Sequence, residues 1–369
     1  MNSRPVKSAR KLGNTETGSW AGKNVFITGI NGFIGGNLAK LLLDKGANVF
    51  GLVRNAKRDT LLFYENLSDA ITLIDGEITD KELLTRIVSE EQIHTVFHLA
   101  AQVEVGVGLA NPYLTFETNV RGTYSLLEAI RHCPQTVKSV IVASSDKAYG
   151  SYPRGEMPYK EDYPLRPEYP YDTSKACADM VAHCYASEMF KLPVVVTRFC
   201  NIFGPGQLNF SALIPDSVRA CLGFGTFMPR GNGQQVRDFI YVEDVADLYL
   251  RIGEELAKNP ARIRGQTYNA GTNKPRSVRE VLEAVYKCTG RAKDFKRILQ
   301  MMKGRETFGE IDCQFMDYEK VNRDFGWTPR HSFEEGIAKT IDWFRGYFKG
   351  QHEPRYHRNN SLLQRKKNH

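Results

Sequence analysis

The sequence predicts an α/β protein built on a doubly wound parallel sheet, with a smaller α/β domain towards the C-terminus. Two observations predict this class. From residue 23 onward, short runs of apolar and β-branched residues alternate with longer amphipathic stretches, a pattern typical of a parallel sheet with helices on both faces. After about residue 200 the alternation loosens and glycine and proline become frequent, which indicates a second domain with more loops.

Six strand-like runs give the order of the sheet elements. In chain order they read NVFITG, NVFGLV, ITLID, TVFHLAA, SVIVAS and PVVVTRF. Helical patterns lie between most of them, such as FIGGNLAKLLLDKG after the first run and NPYLTFETNVRGTYSLLEAIRHC after the fourth. A later amphipathic stretch, DFIYVEDVADLYLRIGEEL, is expected to return to this first domain.

These patterns divide the 369 residues into two domains and two tails. We expect a first domain at 23–204 with about 236–258, a second at 205–235 and 259–347, and disordered basic tails at 1–22 and 348–369. The tails together carry the whole formal charge of +8, so the neutral body argues against a nucleic-acid partner. Neither a membrane span nor a secretory signal is found. A soluble cytoplasmic protein without a metal site is expected.

A glycine loop joins the first strand to the first helix. In TGINGFIGG, Gly29 permits a tight turn, Gly32 lets the main chain approach a pyrophosphate, and Gly35 allows close packing of helix on strand. The helix N-terminus adds unpaired N–H donors for an anion. The alternative is a plain tight turn, but the strand-turn-helix context favours a Rossmann-type dinucleotide site. The loop residues predicted to contact the cofactor are Gly29, Asn31, Gly32, Phe33, Ile34 and Gly35.

Residues after the next strands indicate which dinucleotide binds. Arg54 ends the second strand, with Lys57 and Arg58 close behind, and arginine suits a 2′-phosphate. This favours NADP over NAD, the alternative being a solvated basic loop. Glu77 follows the third strand as a candidate partner of the adenine, or as part of a surface turn. The other predicted cofactor contacts are Ile78, Leu99, Ala100 and Ala101.

Two groups of reactive side chains stand out. YDTSK places Tyr171 and Lys175 one helical turn apart, on one helix face. A nearby ammonium group and an oxidised nicotinamide both favour phenolate over phenol, which makes the tyrosine a usable base. At the end of the fifth strand, Ser145, Asp146 and Lys147 place a hydroxyl, a carboxylate and an amine side by side, where solvent exposure would explain only one of them.

The motifs taken together resemble a known family. The glycine loop, HLAAQ, FETNVRGT, SSDKAYG, YDTSKACAD, RFCNIFGPGQ, RDFIYVEDVA and DFGWTPRHSFEEGI occur in the order seen in extended short-chain dehydrogenase/reductase enzymes that act on nucleotide sugars. The resemblance covers residues 23 to about 347. Within that family the chain is most similar to CDP-glucose 4,6-dehydratases, whose strand-end motif reads Asp-Lys. The segment GPGQ and Arg54 depart from that pattern, so a dehydratase acting on another activated hexose fits as well.

The resemblance implies a lyase reaction with a tightly bound nicotinamide cofactor. By this resemblance Ser145 hydrogen-bonds the sugar O4 and Tyr171 removes its proton as C4 is oxidised. Asp146 is then the acid that assists loss of the C6 hydroxyl, and Lys147 is the C5 base if it is neutral, or otherwise tunes Asp146. The product is a 4-keto-6-deoxy sugar. A solvated Asp-Lys pair at a strand end is the alternative.

The resemblance also implies where the nucleotide sugar binds and how chains associate. Asn119 is expected to support the site, and His98 to be a packed core residue near the cofactor. The helices at 111–131 and 171–190 are expected to form a homodimer interface, although their apolar residues also fit an intrachain core. The predicted substrate-binding residues are Gln102, Asn201, Asn209, Arg237 and Arg305, with a helix cap as the alternative role of Asn209.

Two other functions compete with the dehydratase. A nucleotide-sugar 4-epimerase needs Ser145, Tyr171, Lys175 and the cofactor but no acid/base pair. Asp146→Asn and Lys147→Ala therefore separate the two enzymes. A catalytically silent dinucleotide-binding scaffold that uses its basic tails to bind anionic surfaces is the third reading, and retention of the serine, tyrosine and lysine argues against it.

Overall fold

The computed structural model describes residues 19–54, 59–305 and 311–352. Most of the two predicted tails lies outside the described residues, as do Lys57 and Arg58. The described strands are β1 Asn24–Thr28, β2 Asn48–Val53, β3 Ile71–Asp75, β4 Thr95–His98, β5 Ser139–Ala143, β6 Val194–Phe199, β7 Asn201–Phe203, β8 Val236–Arg237, β9 Phe239–Tyr241, β10 Thr267–Ala270, β11 Arg276–Ser277 and β12 Cys313–Gln314.

Helices follow most of the strands. The α-helices are α1 Phe33–Asp44, α2 Leu61–Tyr64, α3 Lys81–Glu90, α4 Val105–Ala110, α5 Pro112–Phe116, α6 Gly122–His132, α7 Pro170–Ala186, α8 Leu213–Cys221, α9 Val242–Lys258, α10 Pro260–Ile263, α11 Val278–Cys288, α12 Ala292–Met302, α13 Glu319–Phe325 and α14 Phe333–His352. A π-helical segment, Glu117–Arg121, joins α5 to α6, and short 3₁₀ turns lie at Ser68–Ala70, Asp146–Tyr149 and Arg154–Glu156. No described helix is both long enough and apolar enough to cross a membrane.

Seven strands form one parallel sheet in the order β10-β6-β5-β4-β1-β2-β3. Its central strands are almost completely buried, because helices cover both faces of the sheet. Strands buried on both faces have continuous apolar sequences and do not alternate apolar with polar residues. The chain order reverses between β1 and β4, so the loops that follow these strands diverge and open a crevice at the carboxyl edge of the sheet. The predicted Rossmann-type doubly wound fold is confirmed.

One strand of this sheet differs from the predicted domain boundary. β10 pairs with β6, with Tyr268 opposite Thr197, whereas the prediction placed everything from residue 259 in the second domain. The strand has only four residues, TYNA, and one of them is a buried asparagine, Asn269, that accepts a hydrogen bond from the Tyr149 hydroxyl at 2.8 Å. A run this short and polar gives no strand signal in the sequence.

The folded body extends beyond both predicted tail boundaries. Trp20 is 1% exposed, and its ring centroid lies 6.2 Å from that of Phe97. At the other end α14 continues to His352, and Phe348 is buried and stacks on Phe224 with ring centroids 4.3 Å apart. The predicted boundaries of both tails are therefore corrected. The physical reason is that each large aromatic side chain buries enough apolar surface to fix the chain around it.

The chain after β6 adds two small sheets. β8 pairs antiparallel with β11 and parallel with β12, and β7 pairs parallel with β9. A separate apolar core lies among α8, α11 and α14. α11 begins with a capping box in which Ser277 and Glu280 satisfy each other's main-chain N–H groups. The register of the three-stranded sheet places Gln314 beside Arg237, and both residues reach the site described next.

Candidate active site

The glycine loop has the close contacts that only glycine allows. Gly29 adopts φ 76°, and a Cβ atom there would lie 2.8 Å from the main-chain nitrogen of Ala100. A Cβ atom at Gly35 would overlap the carbonyl oxygen of Gly29. The loop therefore holds β1, the start of α1 and the end of β4 in direct main-chain contact.

The N-terminus of α1 is open for an anion. Gly32 is its N-cap, no side chain caps the helix, and no acidic residue lies in its first turn. By contrast, Asp80 caps α3 by accepting a hydrogen bond from the Leu83 N–H at 2.9 Å. An uncapped helix N-terminus behind a glycine turn fits the diphosphate of a dinucleotide, because its N–H groups and the helix dipole both favour negative charge.

The remaining predicted cofactor residues follow the strands at the same edge of the sheet. Leu99, Ala100 and Ala101 are partly buried after β4, and Ile78 is buried after β3. Arg54 and Glu77 are exposed after β2 and β3. The structure thus places all of these residues along the carboxyl edge, where the crevice opens.

His98 is a neutral residue under this crevice. It is 3% exposed, its Nδ1 lies 2.8 Å from the Thr28 hydroxyl, and its Nε2 lies 2.9 Å from the Thr123 hydroxyl. Burial, with a smaller contribution from Lys175, lowers the pKa of His98 to about 3. The ring is therefore uncharged at neutral pH and ties β1, β4 and α6 together.

Asn119 connects the β4 loop to the helix that carries the reactive tyrosine. Its side-chain amide accepts from the Gln102 N–H at 2.7 Å and donates to the Ser174 hydroxyl at 2.8 Å. Ser174 in turn donates to the Tyr171 carbonyl oxygen at 2.7 Å. The side chain of Gln102, predicted to bind substrate, accepts from Thr115 at 3.0 Å. This chain of hydrogen bonds fixes the position of the first turn of α7 relative to the crevice.

Ser145 and Asp146 form a tight turn after β5. The Ser145 hydroxyl caps the 3₁₀ turn by accepting from the Lys147 N–H at 3.2 Å, and it lies 3.0 Å from Asp146 Oδ1. Asp146 is 4% exposed, and within the described part of the chain its Oδ2 atom is buried without a hydrogen-bond partner. Burial raises the pKa of Asp146, against the opposing effects of Lys147, Ser145 and Arg237. This carboxyl group is therefore easier to protonate than an exposed aspartate.

Tyr171 and Lys175 lie in the first turns of α7. Lys175 Nζ donates to the carbonyl oxygen of Ala143, at the end of β5, at 2.6 Å, and burial lowers the pKa of Lys175 to about 8. Burial raises the pKa of Tyr171, and a hydrogen bond with Ser145 opposes that rise only in part. The predicted lowering of the tyrosine pKa by the lysine is therefore not produced by these residues alone, because the ammonium group is directed to a main-chain carbonyl.

The C-terminal part brings two predicted substrate residues to the crevice. The positive charge of Arg237 acts on Asp146, and Arg237 donates to the Val236 carbonyl oxygen at 2.8 Å. Asn201 donates to the carbonyl oxygen of Asp238 at 3.2 Å, beside the same strand. Arg237 therefore lies near the turn formed by Ser145–Tyr149, called the reactive turn below, and Asn201 contacts the residue that follows Arg237.

Asn209 and Arg305 contact protein groups in the structure. Asn209 Oδ1 accepts from the Ser211 N–H at 2.9 Å and from the Ser211 hydroxyl at 2.6 Å, but the next helix, α8, has Ala212 as its N-cap and no side-chain cap, so the predicted alternative of a helix cap is not observed. Arg305 donates to the Met301 carbonyl oxygen at 2.7 Å and to that of Pro229 at 2.6 Å.

Sequence reasoning missed two buried residues on elements outside the reactive turn, Gln314 and Asp172. Gln314 is fully buried on β12 and donates through Nε2 to the Asp146 carbonyl oxygen at 3.1 Å. No local motif marks a glutamine 168 residues away from its partner. Asp172, 4% exposed, follows Tyr171 directly within the quoted YDTSK motif, and its acidic type beside the tyrosine was a signal that could have been used.

Comparison with known proteins finds a family model and relatives that include 4,6-dehydratases. A family model described as GDP-mannose 4,6 dehydratase matches residues 26–340. The dTDP-glucose 4,6-dehydratase of Xanthomonas campestris pv. campestris is 32% identical over 333 residues, which cover 86% of this chain and 92% of the relative. It is named for dTDP-glucose, so the closer resemblance to CDP-glucose enzymes stays a prediction.

Solved structures of two enzyme types superpose on the chain. A dTDP-glucose 4,6-dehydratase from Streptomyces venezuelae, with NAD bound, has a TM-score of 0.77 at 28% identity and covers 90% of this chain and 99% of its own. A UDP-glucose 4-epimerase from Thermotoga maritima, with UDP-glucose, has a TM-score of 0.76 at 27% identity and covers 88% and 99%. The chain belongs to the extended short-chain dehydrogenase/reductase family, in the branch that the GDP-mannose 4,6 dehydratase model describes.

Proposed function

We propose that this protein is a nucleotide-sugar 4,6-dehydratase, a hydro-lyase that converts a nucleoside-diphosphate hexose to its 4-keto-6-deoxy derivative. The observation that carries the proposal is Asp146, a buried carboxyl group with a raised pKa in the same turn as Ser145 and Lys147. An epimerase has no use for a proton donor at this place. The dehydratase relative from Xanthomonas supports the same assignment.

The cofactor is a tightly held nicotinamide dinucleotide. The main chain at Gly29, Gly32 and Gly35 and the uncapped start of α1 fit its diphosphate. When bound, the nicotinamide supplies a reversible hydride acceptor that takes the hydride from sugar C4 and returns it to C6. The Streptomyces relative holds NAD, whereas Arg54 favours NADP, so both forms belong in the assay.

Ser145 and Tyr171 handle the C4 hydroxyl. The serine hydroxyl is fixed by the Lys147 N–H and hydrogen-bonds with Tyr171, so both oxygens converge on one sugar oxygen. Tyr171 takes the hydroxyl proton as C4 becomes a ketone. Because burial raises the pKa of Tyr171, the tyrosine depends on nearby positive charge to act as a base at neutral pH.

Asp146 and Lys147 handle the loss of water. The ketone acidifies the C5 hydrogen, and a base removes it while the C6 hydroxyl leaves with a proton from Asp146. A pKa raised by burial favours the protonated form of Asp146 compared with an exposed aspartate, which suits a proton donor. Lys147 lies in the same turn and lowers the pKa of Asp146, which fits its predicted role as base or as tuning residue.

Arginine and asparagine side chains hold the substrate from the C-terminal side. Arg237 acts on Asp146, Asn201 donates to the carbonyl oxygen of the neighbouring Asp238, and an arginine fork suits diphosphate oxygens. Arg305 is retained as a phosphate contact and Asn209 as a weaker candidate. The nucleoside of the substrate is cytidine, thymidine, uridine or guanosine. The motif resemblance makes CDP-glucose the first choice.

A substrate panel tests the proposal. The purified protein is incubated with NAD or NADP and with CDP-glucose, dTDP-glucose, UDP-glucose and GDP-mannose, and product masses are recorded. Loss of one water from one donor is the expected result. Inversion at C4 without a mass change would establish the epimerase, and no reaction with any donor would favour the silent scaffold.

Two variants test the assigned acid and its neighbour. Asp146→Asn should slow dehydration by about 100-fold or more, because it removes the proton donor. Lys147→Ala should also impair dehydration. Lys160→Ala, which alters an exposed lysine in the next segment, is the matched control and should keep full activity. A fully active Asp146→Asn enzyme would contradict the dehydratase mechanism.

A further inference from the structure

Gln314 is a fully buried amide that ties the C-terminal part of the chain to the assigned acid. It lies on β12 with an exposed fraction of 0%, and its Nε2 donates to the Asp146 carbonyl oxygen at 3.1 Å. The bond joins residues 168 positions apart in the chain, so it is a tertiary contact and no part of the local structure of the reactive turn. The proposed steps of the dehydration give this amide no role.

Folding stability alone does not explain a glutamine at this position. Within the described part of the chain, Gln314 Oε1 is buried and has no hydrogen-bond partner. The side chain satisfies one buried acceptor, the Asp146 carbonyl oxygen, and brings in another that stays unpaired, so its net gain in stability is small. The benefit of the amide is therefore expected in the position of Asp146.

The carboxyl group of Asp146 depends on its main chain for its position. Its Oδ1 lies 3.0 Å from the Ser145 hydroxyl, and its Oδ2 is buried without a partner among the described residues. Ser145 belongs to the same turn and moves with Asp146, so it cannot fix the carboxyl group relative to the rest of the molecule. The main-chain carbonyl is the point at which another element, β12, holds this residue through Gln314.

The same strand also contacts the predicted diphosphate ligand. Gln314 is the register partner of Arg237 on β8. Arg237 donates to the carbonyl oxygen of Asp312 at 3.3 Å, two residues before Gln314. Direct contacts therefore lead from the predicted phosphate ligand through β12 to the acid.

We propose that Gln314 is the positioning residue of the acid, and that through β12 it makes the placement of Asp146 depend on substrate diphosphate bound at Arg237. Binding energy from the diphosphate, which takes no part in the chemistry, is then used to place the proton donor at the C6 hydroxyl. Gln314 itself makes and breaks no bond of the sugar, and the C6 hydroxyl leaves as water with the proton of Asp146. The inference rests on the proposed dehydratase function.

Gln314→Met and Gln314→Asn test the amide. Methionine has a similar length and no N–H donor, and asparagine carries the amide on a shorter side chain. Gln300→Met makes the first change at an exposed glutamine on α12 and is the matched control. Each protein is incubated with its cofactor and with whichever donor of the substrate panel the wild type dehydrates. Reduced-nicotinamide absorbance reports C4 oxidation, and product mass reports water loss.

The expected result is a selective loss of the second step. Both Gln314 variants should oxidise C4 at close to the wild-type rate and accumulate reduced nicotinamide. Water loss should fall by about 10–100-fold with KM close to the wild-type value, because a displacement of about 1 Å slows a positioned proton transfer by that order. Gln300→Met should match the wild type in both steps.

A second change tests the link to the diphosphate. Arg237→Lys keeps the positive charge but loses the fork that binds two oxygens, and it should lower the ratio of water loss to C4 oxidation. In the Gln314→Met background the same change should leave that ratio unaltered, because the path to Asp146 is already broken.

The results that overturn the inference differ from those that overturn the function. A wild-type ratio of water loss to C4 oxidation in the Gln314 variants would show that the amide is not needed, and equal losses of both steps would reduce it to a general structural contact. Additive effects of the Gln314 and Arg237 changes would remove the link to the diphosphate. If Gln314→Met does not fold, Gln314→Asn decides by the same ratio. A wild-type protein that dehydrates no donor would overturn the dehydratase assignment itself.

Discussion

At the scale of single residues, burial of Lys175 costs stability. The pKa of Lys175 falls from 10.5 to about 8, and the side chain is 6% exposed. Because the folded state binds this proton more weakly than the unfolded state, the cost is present in full below pH 8. It disappears as pH rises from 8 to 10.5. The shift corresponds to about 3 kcal/mol, partly offset by the hydrogen bond to the Ala143 carbonyl oxygen.

Lys175→Met should therefore be more stable than the wild type and inactive. We expect a gain of about 1–2 kcal/mol at pH 7, since methionine removes the buried charge but leaves the Ala143 carbonyl without its donor. Urea unfolding at pH 7 and above pH 10 measures it, and the gain should shrink at the higher pH. Lys45→Met, at an exposed lysine, should change stability little. A variant no more stable than the wild type would show that Lys175 is not strained by burial.

The sequence was sufficient for the residues that lie in contiguous motifs. Ser145, Asp146 and Lys147 are neighbours in the chain, and the helical period alone brings Tyr171 and Lys175 to one face. Gln314 could not be predicted, because the register of β8 and β12 decides that it meets Asp146. The rise in the pKa of Tyr171 was missed for a similar reason, since it depends on burial by distant segments.

At the scale of elements, a buried ion pair attaches α7 to the large sheet. Arg198 on β6 donates to both carboxylate oxygens of Asp179 on α7, at 2.7 and 3.0 Å. The guanidinium group also lies 4.8 Å from the ring centre of Tyr149, the last residue of the reactive turn. The alternation of the sequence was enough to predict β6 and α7, because that signal is local. The Asp179–Arg198 ion pair that joins them connects residues far apart in the chain, and no sequence motif indicated it.

Breaking this pair should destabilise the protein strongly. Asp179→Asn leaves the Arg198 charge buried without its counter-ion, and we expect a loss of about 3–5 kcal/mol in unfolding free energy. Replacing both residues, as Asp179→Leu with Arg198→Met, should cost much less than the single change. Asp342→Asn, in the exposed pair with Arg345, should cost less than about 1 kcal/mol. Equal losses for the buried and exposed pairs in urea unfolding would contradict this role.

At the scale of the whole molecule, three neighbouring helices expose large apolar side chains. Helices α5, α6 and α7 pack side by side, and large apolar side chains on them point to solvent. Tyr113 is 73% exposed, Tyr124 41% and Met180 67%. The sequence resemblance predicts that these two helical regions form a homodimer interface, and large apolar side chains exposed on neighbouring helices are consistent with a protein interaction site. A second copy of the chain is the occupant we propose.

Met180→Glu should convert the dimer to a monomer. A charge at the centre of an apolar, self-complementary face appears twice in a two-fold interface, so a single substitution places two carboxylates against apolar surface. Sedimentation equilibrium at micromolar concentration should give twice the mass of one chain for the wild type and a single mass for the variant. Met228→Glu, at an exposed methionine outside these helices, should stay dimeric. The monomer should unfold at a lower temperature, because association stabilises the folded chain. Tyr171 and Lys175, which α7 also carries, remain within one chain in the monomer. A wild-type protein that sediments as a monomer would contradict the homodimer proposal.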